Sequence, residues 1–201
     1  TNDRIDRPTS DPYTGDLARF DREKRAEKLQ IERVMDILGI KAGSIVADIG
    51  AGGGWFTVIA AKRVGEQGKV FAVDINKESK GYIDGRAEKE GLSNITSVQS
   101  KPEDPLLPDN TVEGVLILNT YHEFSEPVTI MKNLRRALKK GALVGIIDRN
   151  GSGDDHGIDS EKVIGEVERA GYVFKDSYDF VKPANMDYFL VFAVEEPGKI
   201  Q

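Results

Sequence analysis

Cysteine is absent from the 201-residue chain, which excludes disulfides, thiolate metal ligands and a cysteine nucleophile while leaving the compartment open. Long apolar runs are missing too. Apolar runs such as GVLILN (114–119) and ALVGII (142–147) fall far short of the roughly 20 residues that cross a bilayer. There is no Lys/Arg run to mark a nucleic-acid footprint, and the formal charge of -6 with a pI near 5.1 disfavours a polynucleotide partner. No internal repeat or low-complexity tract interrupts the chain. It begins at Thr1 rather than at methionine, so an upstream start residue, tag or leader is allowed for. The expectation is a soluble, cytoplasmic protein with no membrane partner and an oligomeric state that the sequence does not report.

What is present is alternation. The length suits a single α/β domain. Residues 1–19 are polar and aperiodic, an irregular arm. From Phe20 to about Leu38, apolar residues at Ala26, Leu29, Val34, Ile37 and Leu38 recur at helical spacing, closed by Gly39. Residues 1–40 are therefore read as an arm and helix that could act as a lid, ahead of a main domain spanning 41–201. Strands are expected at 44–50, 69–76, 95–99, 112–119 and 142–148. Helices are expected at 55–65, 77–91, 127–140 and 160–171, and two final strands near 173–181 and 187–194. Strands alternating with helices of ten or more residues imply βαβ units, a mainly parallel sheet and helices on both faces. The turn at KPANM (182–186) joins the last two strands as an antiparallel hairpin.

The stretch VADIGAGGGWF (46–56) runs from strand through a glycine loop into helix, at the strand end where open α/β sheets bind ligands. No Gly-Lys-Ser/Thr follows, so it is not a P-loop. In the dinucleotide fingerprint Gly-x-Gly-x-x-Gly, Gly50 and Gly52 would be the first pair, and Trp55 occupies the place of the third glycine. Asp48 would repel a pyrophosphate but suits a ligand carrying an ammonium and a sulfonium. Opposite charges at about 4 Å are worth roughly 1–4 kcal/mol between bulk-water and protein-surface dielectrics, enough to set that preference. Asp74, 24 residues beyond Gly50 at the end of the second strand, is placed for ribose hydroxyls.

At this point the sequence resembles the class I S-adenosylmethionine-dependent methyltransferases. VADIGAGGGWF is similar to their Asp-x-Gly-x-Gly-x-Gly motif and VFAVDIN to their second motif, and LLPDNTVEGVLILNTYHEF and LRRALKKGALVGIID look like later blocks. The similarity runs from about Lys41 to Glu195. It implies a Rossmann-like, doubly wound, seven-stranded sheet in the order 3-2-1-4-5-7-6, with S-adenosylmethionine as cofactor. By position, Gly50 and Gly52 would let the backbone approach the methionine part and Asp48 would orient the loop or meet the amino group. Asp74 would meet the ribose, Ile75 the adenine, and Asn119 would line the methyl-transfer site. Where many relatives carry Asp-Ala or Asp-Ile beside the adenine, this chain has Lys101 and Pro102, and Glu103 is the substitute amine acceptor.

Methyl transfer from a sulfonium is an in-line displacement, so the protein mainly aligns the acceptor and excludes water. A base is required only when the acceptor must lose a proton. His122, in NTYHEF after the fourth strand, is the candidate base; alternatively it caps or packs on the next helix. His156, in the loop GSGDDHGID, and Tyr121 are candidate substrate contacts, with an exposed loop residue and a wall residue as their ordinary alternatives. Asp148, at the end of the fifth strand, is a further substrate candidate. With Asn119 and Asn150 it supplies one carboxylate, too few for an oxygen-ligated Mg²⁺ site, so no metal is expected. Trp55 is read as packing its helix onto the sheet. NTYH lacks the Pro-Pro-aromatic block of base-amine methyltransferases, and the absence of cysteine disfavours arsenic-type chemistry. A small organic acceptor of the quinone type remains as the nearest analogy. The alternatives are a nicotinamide-dependent oxidoreductase and a non-catalytic cofactor-binding domain.

Overall fold

The computed structural model describes residues 3–5, 7–13, 15–21 and 24–194. Residues 195–201 of the expected main domain, Arg22 and Glu23 of the expected first helix, and residues 1, 2, 6 and 14 of the arm lie outside the described residues. Seven strands, β1 (Ile45–Ile49), β2 (Lys69–Asp74), β3 (Ile95–Gln99), β4 (Val112–Leu118), β5 (Leu138–Asp148), β6 (Tyr172–Tyr178) and β7 (Tyr188–Val194), form one sheet in the order β3-β2-β1-β4-β5-β7-β6. β3, β2, β1, β4 and β5 run parallel, and β7 lies antiparallel to both β5 and β6. The strand order reverses between β1 and β4, which opens a crevice beyond their carboxyl ends.

Among the described residues, six α-helices cover the sheet: α1 (Arg25–Leu29), α2 (Ile31–Ile37), α3 (Trp55–Val64), α4 (Lys77–Glu90), α5 (Pro127–Ala137) and α6 (Ser160–Arg169). Successive strand residues supply opposite layers, as the two-residue repeat requires. Along β4, Val115 and Ile117 join the core beneath α5 and α6, with Met131, Leu134, Val163 and Val167. Leu116 and Leu118 join the core beneath α2 and α3, with Val34, Met35, Phe56 and Ala60. A strand buried on both sides reads as a continuous apolar run, which is why VLIL needs no polar alternation.

The expected helix from Phe20 to Leu38 is broken. Gln30 adopts a left-handed conformation with φ 49°, separating α1 from α2, and a 3-10 turn at Leu17–Phe20 precedes them. Leu29 and Ile31 are both fully buried, although residues two apart point to opposite sides of a continuous helix. The break turns both inward and leaves Ala26 exposed. The helix expected to reach Lys140 stops at Ala137, because Leu138 already pairs with Val112 at the start of β5. β6 begins at Tyr172 and ends at Tyr178, three residues short of the expected end.

The arm packs against the domain. Arg7 makes a two-pronged ion pair with Glu166 of α6 (Nε–Oε1 2.8 Å, Nη2–Oε2 3.0 Å), and Lys132 of α5 reaches Asp3 at 2.6 Å. The Ser10 hydroxyl donates to the Gly153 carbonyl at 2.8 Å and accepts from the His156 N–H at 3.1 Å. Among the described residues, no helix is long and apolar enough to cross a membrane.

Candidate active site

A cavity of about 570 Å³ occupies the crevice. The glycine loop after β1, the ends of β2 and β4, the arm at Thr9–Tyr13 and the loop carrying His156 form its walls. Its floor at the loop end is built by backbone geometry. Gly50 and Ala51 donate their N–H groups to the Val73 carbonyl at 2.8 and 3.0 Å, pinning the loop to β2. Gly50 has φ 76°, and a Cβ there would collide with the Thr120 side chain, so only glycine allows this turn.

Two carboxylates face this end. Asp74 accepts the Gly52 N–H at 2.7 Å and the Asn76 N–H at 2.8 Å, one on each oxygen. Burial raises its pKa even though those N–H groups pull it down. Asp48 is fully buried and accepts the Thr57 hydroxyl at 2.6 Å. Burial lifts it to about 7; the Thr57 hydrogen bond and the Arg25 charge oppose the rise, and the Asp74 charge adds to it. Ile75 presents a partly exposed apolar side chain beside them. Two acids, an apolar shelf and close-approach backbone fit a ligand that carries an ammonium, a ribose and a base.

The Asp48 environment has a consequence for pH dependence. The folded carboxyl keeps its proton up to about pH 7, whereas the unfolded one releases it near a pH of about 4. Between those values the folded state binds more protons, so the stability of the ligand-free protein falls as pH rises towards 8. A cationic ligand reverses the preference by favouring the carboxylate, with Asp74 and Arg25 as the other charges facing the group. Titration calorimetry with S-adenosylmethionine, the ligand that the sequence resemblance implies, should find affinity rising between pH 6 and 8. Asp48→Asn should flatten that rise, and an unchanged slope would remove Asp48 from the site.

The other end of the cavity lies after β4. Asn119 sits at φ 54°, fixed by its N–H donating to the Ile147 carbonyl at 2.7 Å. Its side-chain oxygen is buried without a protein partner, a donor-seeking group at the cavity wall. A 3-10 turn, Tyr121–Glu123, follows. His122 is 1% exposed. Its Nδ1 lies 2.9 and 3.0 Å from the two carboxylate oxygens of Asp148. In a neutral imidazole that donates Nδ1–H to this buried carboxylate, the lone pair is on Nε2. Nε2 is 3.8 Å from Glu123 Oε1, and the His156 ring stands edge-on to His122 with centroids 5.8 Å apart. Burial lifts the Glu123 carboxyl to about 7, with further rises from the Asp74 and Asp148 charges and an opposing pull from His122.

Of the residues singled out from sequence, Asp48, Gly50, Gly52, Asp74, Ile75, Asn119, His122 and His156 line the one cavity. Three do not. Tyr121 points into the core, fully buried beside Phe124 at 5.2 Å, because the 3-10 turn rotates it away from its neighbour His122. Burial holds its hydroxyl well above the ordinary range. Asp148 is wholly enclosed and reaches the cavity only through His122. Glu103 is exposed, because the paired backbone bonds between Lys101 and Asp104 (2.9 and 3.3 Å) close a turn that places Ser100, Lys101 and Pro102 at the wall instead. Trp55 does two things: it belongs to the core beneath α3, and it lines the cavity with the Arg25 guanidinium 4.2 Å over its ring. Arg25, Ser10 and Glu123 are site residues that sequence reasoning missed. Only Glu123, adjacent to His122, had a local signal.

Comparison with known proteins agrees with this geometry. A family model described as a methyltransferase domain matches residues 46–141. The chain is 28% identical over 122 residues to the ubiquinone/menaquinone biosynthesis C-methyltransferase UbiE of Hydrogenovibrio crunogenus, covering 60% of this chain and 48% of that protein. The match to the Escherichia fergusonii protein of the same name is also 28%, over 115 residues, with 57% and 46% covered. The chain thus spans about half the length of these curated relatives. Among solved structures, a SAM-dependent methyltransferase from Aquifex aeolicus superimposes with a TM-score of 0.79 at 29% identity, covering 89% of this chain and 98% of that one. The [4+2]-cyclase SpnF shares the fold with a TM-score of 0.70 at 16% identity, with 92% and 86% covered. In its sheet order, its acid-lined glycine loop and these matches, the chain is similar to the S-adenosylmethionine-dependent methyltransferases.

Proposed function

We propose that the chain transfers the methyl group of S-adenosylmethionine to a small organic acceptor that loses a proton, and that His122 takes that proton. The observation that carries the reading is the buried Asp148–His122 pair, 2.9 Å apart, beside the unpartnered Asn119 oxygen in a cavity that the glycine loop also lines. When bound, the cofactor supplies a methyl group activated on a sulfonium. Asp48, Gly50, Gly52, Asp74, Ile75 and Asn119 would hold it. Asp148 fixes the imidazole in the tautomer that leaves Nε2 unprotonated, and the protein dipoles around it replace water. His156, edge-on to His122 with centroids 5.8 Å apart, would touch the acceptor beside the base.

The acceptor class follows from enclosure and charge. The arm and the His156 loop line a cavity of about 570 Å³, which suits a small molecule, and the chain's net negative charge repels polynucleotides. The relatives' printed role, C-methylation in quinone biosynthesis, points to a flat acceptor with an acidic carbon or hydroxyl. Residues 1–40 act as the lid in this reading, since the arm lines the cavity and is tied to its far loop.

Thermal unfolding with S-adenosylmethionine, S-adenosylhomocysteine, NAD and NADP in parallel tests the reading. A ligand at about 100 times its dissociation constant stabilises the folded state by roughly 2.7 kcal/mol. The expected result is an upward shift with the first two alone, followed by a screen of small phenolic and enolic acceptors for S-adenosylhomocysteine release. A shift with the dinucleotides alone would sink the proposal.

A further inference from the structure

His122, Glu123 and His156 come together from two separate loops, each offering one ligand atom, and these atoms all lie within 4.8 Å of one another. We propose that the three side chains form a binding site for a divalent transition-metal cation of the zinc class. This goes beyond proton abstraction by His122, with which it shares one atom. The Nε2 lone pair serves an ion or a proton, so the two uses are alternative states of the same group.

The donor chemistry selects the ion. Two imidazole nitrogens and one carboxylate suit zinc, cobalt(II) or a similar borderline cation, whereas Mg²⁺ and Ca²⁺ take oxygen ligands. Tetrahedral bonds of about 2.0–2.1 Å would bring the donor atoms to roughly 3.3 Å from one another. The pair of His122 Nε2 and Glu123 Oε1 already stands at 3.8 Å. The remaining closure falls to the exposed His156 side chain, while its peptide is held by Ser10 on the N–H and by Arg149 on the carbonyl (3.1 and 2.7 Å).

His122 itself is set for coordination. Its Nδ1 is engaged by the enclosed Asp148 carboxylate, the carboxylate–histidine arrangement that orients a metal-binding imidazole and raises its basicity. Three protein ligands leave a fourth position for water or an acceptor heteroatom on the cavity side. A structural zinc site would fill all four positions with side chains; this one stays open where the acceptor is placed.

The test uses untagged, metal-stripped protein titrated with zinc against a chromogenic chelator, without cofactor or acceptor, so its outcome is independent of the methyl-transfer reading. The expected result is one zinc ion per chain, with affinity falling at least 10²-fold in His156→Ala and Glu123→Gln. Asp154→Asn, in the same acidic loop, should bind as the parent does. Melting curves and S-adenosylhomocysteine binding of the variants check their fold. Should a variant fail to fold, the visible spectrum of the cobalt(II)-loaded parent gives a second readout, with four-coordinate bands expected. Absence of stoichiometric zinc binding, binding undiminished in His156→Ala, an equal loss in Asp154→Asn, or a six-coordinate cobalt spectrum would each overturn the proposal.

Discussion

Replacing His122 with alanine should lower turnover by about 10²-fold or more, in line with the loss of a positioned general base, while leaving the affinity for S-adenosylmethionine nearly unchanged. The selectivity of the effect is what matters. His122 lines the end of the cavity after β4, whereas Asp48 and Asp74 line the glycine-loop end, which the proposed reading gives to the cofactor, so KM for the cofactor should stay within a few-fold of the parent's. Asp148→Asn makes the companion test. An asparagine keeps the volume but offers an amide where the Nδ1–H and the peptide N–H groups of His122 and Arg149 now find carboxylate oxygens. The ring then loses its fixed tautomer, and turnover should fall to within roughly tenfold of the His122→Ala level. Parent-like turnover in His122→Ala, measured with any acceptor found by screening, would remove the residue from the mechanism.

The glycine loop and the strand-helix alternation were readable because their causes are local. A turn with positive φ needs glycine, and a doubly covered strand needs an unbroken apolar run. The order of the seven strands came from resemblance, since composition and periodicity do not specify which strands pair. The break at Gln30 was hidden because it answers a tertiary demand: Leu29 and Ile31 must both reach the core, and no neighbouring residue announces the left-handed turn that permits it. Tyr121 and His122 show the same limit at finer scale. Both end the same strand-loop segment, and only the 3-10 turn decides that the tyrosine faces the core and the histidine the cavity. The pairing of Asp148 with His122 spans 26 residues and depends on β4 and β5 being adjacent. The approach of His156 to Glu123 depends further on the arm residue Ser10.

The arm carries the other large effect. Arg7→Ala should destabilise the protein by several kcal/mol at most, because it leaves the Glu166 carboxylate buried without its partner, and breaking a buried ion pair costs about 3–5 kcal/mol. The Arg7 side chain is only 1% exposed in the pair, so solvent screening does little to reduce the loss. The arm has an escape: it can lift and let water reach Glu166, which caps the global loss at the free energy with which the arm docks. Two measurements separate these contributions. Limited proteolysis should cut the arm of Arg7→Ala much faster than that of the parent. A chain of this size should lose roughly 2–4 °C in melting temperature for each kcal/mol that reaches the global transition. Adding Glu166→Gln to Arg7→Ala removes the unpaired charge, so it should restore most of the melting temperature while leaving the arm open to protease. Because the arm lines the cavity and holds the His156 loop through Ser10, both variants should also release S-adenosylhomocysteine faster than the parent. Parent-like proteolysis and release in Arg7→Ala would mean that the remaining contacts hold the arm by themselves, and that the ion pair with Glu166 does not govern closure of the cavity.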